Sequence, residues 1–368
     1  MKNTLSNLQN IKSKLNPSLF GIEKSNRDFT QKDAWGKNQF NSSFPASLVS
    51  YMGSKNIKLN YLTLDKNGQV NHSYLDHKDL FGTVYNDPDL FFAFESDYIP
   101  FQKLVVNSLP RIDLVTMNSK TNLCLRGIEI KLTALPDNTT CLLPENKYGS
   151  EIVCRPDTIV YMALSIILSL EENQKLLREV LKPLDIIEDW THGINVIPHL
   201  SLMGKIIDGL LTEKTEKQTP LILQPIWKTN GKSQILSDNA FDVFVWSDFA
   251  FAQLFLSVVR GELSKDRERI TRQTRSVIWL TKMLYDYSIQ GQINHQKIVD
   301  ELSYNTKNDK AFAVSGKVVH PYMISSELVS PRIKKEEIKN IILNGGQNLL
   351  SPERRLDAVL LSTPGLFD

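Results

Sequence analysis

The strongest structural signal in this sequence is a pair of strand-like runs joined by a short turn. RIDLVTMN begins at Arg111 and alternates as a strand, and LCLRGIEIKLTAL, from Leu123, is a second and longer run of the same type. The residues between them, SKTN at Ser119 to Asn122, favour a turn. The pattern therefore predicts two adjacent antiparallel strands.

Patterns on either side of this hairpin predict helices and further strands. In DPDLFFAFESDYIPFQKLVVNSL, Pro88 suits a helix start and the apolar positions fit a helix through Glu95. Pro156 and Asp157 predict the start of a long apolar helix in RPDTIVYMALSIILSLEENQKLLREVL. TPLILQPIWKT and AFDVFVWSDFAFAQLF are strand-like, the second passing into a helix. This order predicts an α/β fold in which helices flank a mixed β-sheet.

Composition divides the chain into three segments. Residues 1–80 are mostly polar and predict an N-terminal arm or subdomain, and residues 81–260 hold the predicted sheet. Residues 261–368 predict a helical C-terminal elaboration. We expect the three segments to form one compact unit.

Composition also excludes several classes of protein. The chain has 368 residues, of which 41% are hydrophobic and 23% charged, and this composition indicates a soluble globular protein with a large core. Its three cysteines lack zinc-site spacing and indicate a reducing compartment. The most apolar run, TIVYMALSIILSL, is too short to span a bilayer, and the N-terminus does not resemble a signal peptide. We therefore expect a cytoplasmic protein without a membrane partner.

Three charged residues of the hairpin form a candidate metal site. Glu129 and Lys131 are two apart on one strand, so they lie on the same face, and the hairpin brings Asp113 alongside them. Two close carboxylates repel each other unless a cation lies between them, and oxygen ligands of this kind suit Mg²⁺. Lysine beside a metal can orient a water and stabilise charge on a phosphate. The pattern predicts hydrolysis of a phosphodiester.

The alternative interpretation is a surface ion pair, which is common and contributes little free energy. The Glu-x-Lys triplet recurs at Glu145 and Glu337, so the triplet alone is a weak signal. Neither of those copies has an aspartate upstream on a paired strand. The context of Glu129 therefore favours the metal site.

PRIDLV and GIEIKL together resemble the PD-(D/E)xK nuclease motif. Pro110 and Asp113 match its first half, and Glu129, Ile130 and Lys131 match its second, although the proline does not directly precede the aspartate. With QFNSSFPASL, QPIWKTNGK and DVFVWSD, most of the chain resembles the HindVP family of type II restriction endonucleases.

The resemblance implies a restriction-endonuclease-like fold and a Mg²⁺-dependent enzyme. Such an enzyme cuts double-stranded DNA at a short palindrome, here of the GRCGYC type, and is paired in its bacterial genome with a cognate DNA methyltransferase. By resemblance, Asp113, Glu129 and the carbonyl of Ile130 would bind metal, and Lys131 would attend the attacking water. Glu95 is the candidate for an upstream helical glutamate, with an ordinary helix-surface carboxylate as the alternative.

Basic and polar stretches supply candidate DNA contacts. The helical stretch from Lys265 to Arg275 would neutralise phosphates, unless it is a solvated helix face. WGKNQFNSS and NTKNDKAFAVSGK have the composition of base-reading loops. From these stretches we expect DNA contacts by Lys37, Asn38, Asn41, Arg267, Arg272, Lys307 and Lys310. A palindromic site would be matched by a homodimer.

The sequence is also compatible with two other functions. One is a structure-specific or repair nuclease of the same fold, and the other is a DNA-binding protein without catalysis. The six histidines show no metalloprotease spacing and no compact cluster, so we interpret each as structural or solvated.

Overall fold

A computed structural model describes residues 59–64, 70–128, 151–212, 227–230, 233–236, 268–305 and 312–315, with a few single positions between them. In these ranges the strands are β1 (Leu59–Leu64), β2 (Val70–Leu75), β3 (Leu90–Ser96), β4 (Ile112–Asn118), β5 (Cys124–Ile128), β6 (Glu151–Cys154), β7 (Trp227–Asn230), β8 (Ser233–Leu236) and β9 (Phe312–Ser315). The α-helices are α1 (His77–Phe81), α2 (Pro156–Ser169), α3 (Gln174–Leu181), α4 (Gly193–Val196), α5 (Leu200–Thr212), α6 (Arg272–Gln290) and α7 (His295–Glu301). Short 3-10 helices cover Ile99–Leu104, Lys182–Ile186 and Ile197–His199.

The predicted hairpin is confirmed as strands β4 and β5. Leu114 pairs with Ile128 and Val115 with Gly127, and the strands are antiparallel. The turn closes through the Asn118 amide, which donates to the Leu123 carbonyl at 2.9 Å. Asn122 adopts a left-handed conformation (φ 57°), which asparagine tolerates better than most residues. The turn composition and the alternation of the strands therefore specify this hairpin locally.

The predicted helix through Glu95 is wrong. Leu90–Ser96 instead forms β3, which pairs antiparallel with β4 and makes β4 the central strand of a three-stranded sheet. Leu90 and Phe92 are buried while Phe91 and Ala93 are half-buried, a period of two. Pairing with β4 satisfies the backbone groups of this segment, and that partner is not visible in the local sequence.

Helices α2, α3, α5 and α6 pack around a shared apolar core. The side chains of α2 from Thr158 to Ile167 are all buried, as are most of those on α6. The long helix predicted from Pro156 is interrupted, because Glu171 and Glu172 adopt left-handed conformations (φ 56° and 59°). Helix α3 then starts afresh, with the Asn173 side chain accepting from the Leu176 amide at 3.1 Å.

The remaining described strands form two-stranded antiparallel sheets: β1 with β2, β6 with β9, and β7 with β8. Strand β7 confirms the strand-like character of QPIWKT, whereas AFDVFVWSDFAFAQLF lies outside the described residues. Small sheets packed with helices agree with the predicted α/β class at this coarse level.

One described segment, Gly193–Leu211, has the length and apolar composition needed to cross a membrane. Its Leu200, Met203 and Ile207 side chains are buried in the core. A core helix of a soluble protein passes the same test, so this segment is weak evidence for membrane insertion.

Candidate active site

Asp113 is the second residue of β4, the central strand of the three-stranded sheet. Strand β3 pairs Phe94 with Leu114 and Ser96 with Ile112. Glu95 and Asp113 fall between these two pairs and are therefore opposite each other. The structure thus corrects the element that carries Glu95, from helix to strand, and makes it a cross-strand neighbour of Asp113.

The other half of the predicted site begins immediately after the described residues of β5. The last described pair on this side joins Ile128 to Leu114, the residue that follows Asp113. Glu129, Ile130 and Lys131 lie outside the described residues. The described structure therefore brings the chain to the position before Glu129 on the strand adjacent to Asp113.

The backbone around Asp113 is embedded in apolar side chains. Ile112, Leu114 and Val115 are all buried, and so is Ile128 on β5. Gly127 lies so close to β4 that a Cβ there would be 3.1 Å from Ile112 Cδ1 and from Tyr98 Cγ. This packing holds β4 and β5 in one register.

Two groups that bind the segment before Asp113 were missed by the sequence reasoning. The hydroxyl of Tyr161 donates to the Pro110 carbonyl. His295 Nε2 lies 3.0 Å from the Ser108 carbonyl. These partners are 51 and 187 residues apart in sequence, and no local signal connects them.

The basic stretch is only partly exposed. Thr271 caps α6, so Arg269 lies before the helix and is exposed, and Arg272, the first residue of the helix, is exposed as well. Arg275 is 0% exposed, and its guanidinium stacks 4.4 Å from the Trp279 ring centroid. Arg275 therefore cannot contact a phosphate in this structure, which corrects the expectation for that end of the stretch.

The other expected DNA contacts lie outside the described residues. They are Lys37, Asn38, Asn41, Arg267, Lys307 and Lys310. Arg272 is the member of the set that the structure places, at the N-terminus of α6.

Histidines and acidic groups elsewhere have structural surroundings. Burial lowers the pKa of His77, and His192 Nδ1 lies 2.6 Å from the Asp189 carboxylate on the surface. Within the described ranges, no three or more His, Cys, Asp or Glu side chains are grouped to hold a metal ion. The partial burial of His77 and the surface pairing of His192 with Asp189 fit a structural and a solvated role for these two histidines.

A family model described as HindVP restriction endonuclease matches residues 35–367. The chain belongs to the HindVP restriction endonuclease family. This membership confirms the resemblance to the HindVP family that most of the chain indicated. No solved structure matches the chain.

Two relatives cover almost the whole chain. One is the type II restriction enzyme HgiDI of Herpetosiphon aurantiacus, 47% identical over 353 residues, which are 96% of this chain and 97% of the relative. The other is the probable type II restriction enzyme HindVP of Haemophilus influenzae, 45% identical over 353 residues, 96% of each chain. The family and both relatives support type II restriction endonuclease function within a restriction-modification system.

Proposed function

We propose that this protein hydrolyses phosphodiester bonds of double-stranded DNA at a short palindromic site, with Mg²⁺ as cofactor. One observation carries the proposal: Asp113 lies on the central strand, and the described residues of the neighbouring strand end at Ile128, immediately before Glu129. Family membership favours restriction over a repair nuclease of the same fold or a non-catalytic DNA-binding protein.

The register of the sheet supports the grouping of the proposed site residues. Leu114 pairs with Ile128, and successive Cα atoms are about 3.8 Å apart. If the register continues by one residue, Glu129 is opposite Asp113 on one side, as Glu95 is on the other. Opposite positions of an antiparallel pair have Cβ atoms about 4.5–5.5 Å apart. Three carboxylates would then meet across three strands.

This donor set fits Mg²⁺. Carboxylates at such separations repel each other, and a hard divalent cation with oxygen ligands relieves that repulsion. Asp113, Glu129 and the carbonyl of Ile130 would hold the ion, with Glu95 as a further candidate ligand. When bound, Mg²⁺ polarises a phosphate oxygen and lowers the pKa of a bound water.

Lys131 has a separate role in the proposal. It follows Glu129 by two residues, and on a strand such residues share a face. Its ammonium group would orient the attacking water and stabilise the charge that develops on the phosphate. Ile112, Leu114 and Val115, the neighbours of Asp113, are buried, and their packing would limit movement of the strand that carries it.

DNA binding and assembly complete the proposal. The residues that would contact DNA are Arg272 and, outside the described residues, Lys37, Asn38, Asn41, Arg267, Lys307 and Lys310. A homodimer would match a palindrome of the GRCGYC type, the sequence that the family resemblance implies. The protein would act in the bacterial cytoplasm, where a cognate methyltransferase protects the host site.

Cleavage of unmethylated plasmid tests this function. Wild-type protein with Mg²⁺ should yield discrete fragments, and Lys131→Ala should yield none. The matched control is Lys147→Ala, because Lys147 ends another Glu-x-Lys triplet, ENK, for which the sequence predicts no aspartate on a paired upstream strand. Lys147→Ala should cut as the wild type does.

Ca²⁺ in place of Mg²⁺ should support DNA binding without cleavage. Uniform degradation by the wild type, or equal fragments from Lys131→Ala, would contradict the proposal.

A further inference from the structure

The segment that leads into β4 is held by side chains from distant regions of the chain. Residues 105–111 contain neither a helix nor a strand, and a single parallel bridge joins Val105 to Ile293. Two of their carbonyls bind remote side chains: Pro110 accepts from the Tyr161 hydroxyl, and Ser108 from His295 Nε2 at 3.0 Å. Both bonds come within five residues of Asp113.

Both partner side chains are buried and belong to well-packed helices. Tyr161 is 2% exposed on α2, and its ring lies 6.1 Å from that of Phe101. His295 is 6% exposed and is the first residue of α7. A hydrogen bond from a buried side chain keeps its direction, because core packing restricts the rotamer.

The N-terminus of α7 is itself tied to the same segment. The Val106 amide donates to the Ile293 carbonyl at 2.9 Å, and the Ile293 amide donates to Leu104 at 2.9 Å. The side chain of Asn107 donates to the Asn294 side chain at 3.0 Å, and Asn294 caps α7. His295 therefore reaches Ser108 from a backbone that the segment already fixes.

Of the two carbonyls held by remote side chains, that of Pro110 is the nearer to Asp113 in sequence. Pro110 has no amide hydrogen, so its carbonyl is the backbone group through which a side chain can hold it. Asp113 follows Pro110 by three positions along the chain, a span of about 10 Å when extended. A shift of the Pro110 peptide would therefore move the start of β4, and small misplacements of catalytic groups are costly.

We propose that Tyr161 and His295 are positioning residues for Asp113. They hold the Pro110 and Ser108 carbonyls from two helices, and so keep the backbone of Asp113 in the position from which its carboxylate would bind Mg²⁺. The inference rests on the proposed function, since it assigns Asp113 to the metal.

Tyr161→Phe tests the inference, because it removes the hydroxyl and keeps the buried ring. We expect the Mg²⁺ concentration for half-maximal cleavage to rise about fivefold, as for the loss of one hydrogen bond. The cleavage rate at saturating Mg²⁺ should return to near the wild-type value. Calorimetric titration of the enzyme–DNA complex with Ca²⁺ should show a Kd raised by a similar factor, without any cleavage.

Tyr287→Phe is the matched control. Tyr287 is also buried, and its hydroxyl donates to a backbone carbonyl, that of Glu172, at 3.3 Å. This variant should leave both metal titrations unchanged. His295→Ala should shift them as Tyr161→Phe does, and His295→Gln, which keeps an N–H donor, should restore some of the affinity.

The outcomes separate the inference from the proposed function. If the wild type does not cleave with Mg²⁺, or Lys131→Ala cleaves equally, the proposed function is overturned. If those two results hold but Tyr161→Phe and Tyr287→Phe give the same metal titrations, the positioning role alone is overturned.

Discussion

Gly127→Ala is predicted to destabilise the protein, although alanine usually stabilises relative to glycine. Gly127 lies on β5 opposite Val115, and its φ is not in the left-handed region. Alanine can therefore adopt the backbone conformation, and steric contact alone decides the result. The new methyl group would meet Ile112 Cδ1 at 3.1 Å and the Tyr98 ring at 3.1 and 3.2 Å.

The magnitude follows from two opposing contributions. Overpacking in a close-packed site costs about 1–3 kcal/mol. Replacing glycine by alanine recovers about 0.4–1 kcal/mol by restricting the unfolded chain. Tyr98 also packs edge-on against Phe101, with ring centroids 4.9 Å apart, so its retreat disturbs a second contact. We expect a net loss of about 1–2 kcal/mol in the free energy of unfolding.

Urea unfolding followed by circular dichroism measures this loss. Gly209→Ala is the matched control, because a Cβ at Gly209, inside α5, meets nothing within 4 Å. That substitution should stabilise the protein by about 0.5–1 kcal/mol through helix propensity. A Gly127→Ala variant as stable as Gly209→Ala would refute the assigned packing between β4 and β5.

Two further predictions concern alkaline pH and salt. Burial of the Tyr304 hydroxyl, and to a lesser extent the charge of Asp189, raises the pKa of Tyr304. The hydroxyl therefore stays protonated in the folded protein, whereas a tyrosine of the unfolded chain ionises near pH 10. Stability should therefore fall as pH rises above about 10, and Tyr304→Phe should flatten that fall in urea unfolding at several pH values; an identical slope would contradict the burial. Arg272→Ala should weaken DNA binding in Ca²⁺ and reduce the slope of log Kd against log salt by about one unit. An unchanged slope would remove Arg272 from the interface.

The hairpin shows which elements of the fold local sequence can predict. Alternation in RIDLVTMN and the turn residues from Ser119 to Asn122 act over a few residues, and the structure confirms the strands that they predicted. The same local reasoning failed at Glu95, because DLFFAFES fits both a helical and a strand pattern. Pairing with β4 decides that case, and β4 lies sixteen residues or more further along the chain.

Local sequence patterns also failed to predict which residues are buried. Arg275 belongs to a basic stretch in sequence, yet it is buried against Trp279, because most residues of α6, polar ones included, are packed inside the protein. The break between α2 and α3 depends on left-handed backbone at two glutamates, residues with no general preference for it.

Short-range sequence signals were sufficient to predict the family, the hairpin and the residue types of the proposed site. These depend on the order of residues over short distances and on motif segments that the family shares. Tertiary structure alone decided that Glu95 is a strand neighbour of Asp113, and that Tyr161 and His295 bind the segment before it. Those contacts join residues that are not close in sequence, so local sequence patterns do not specify them.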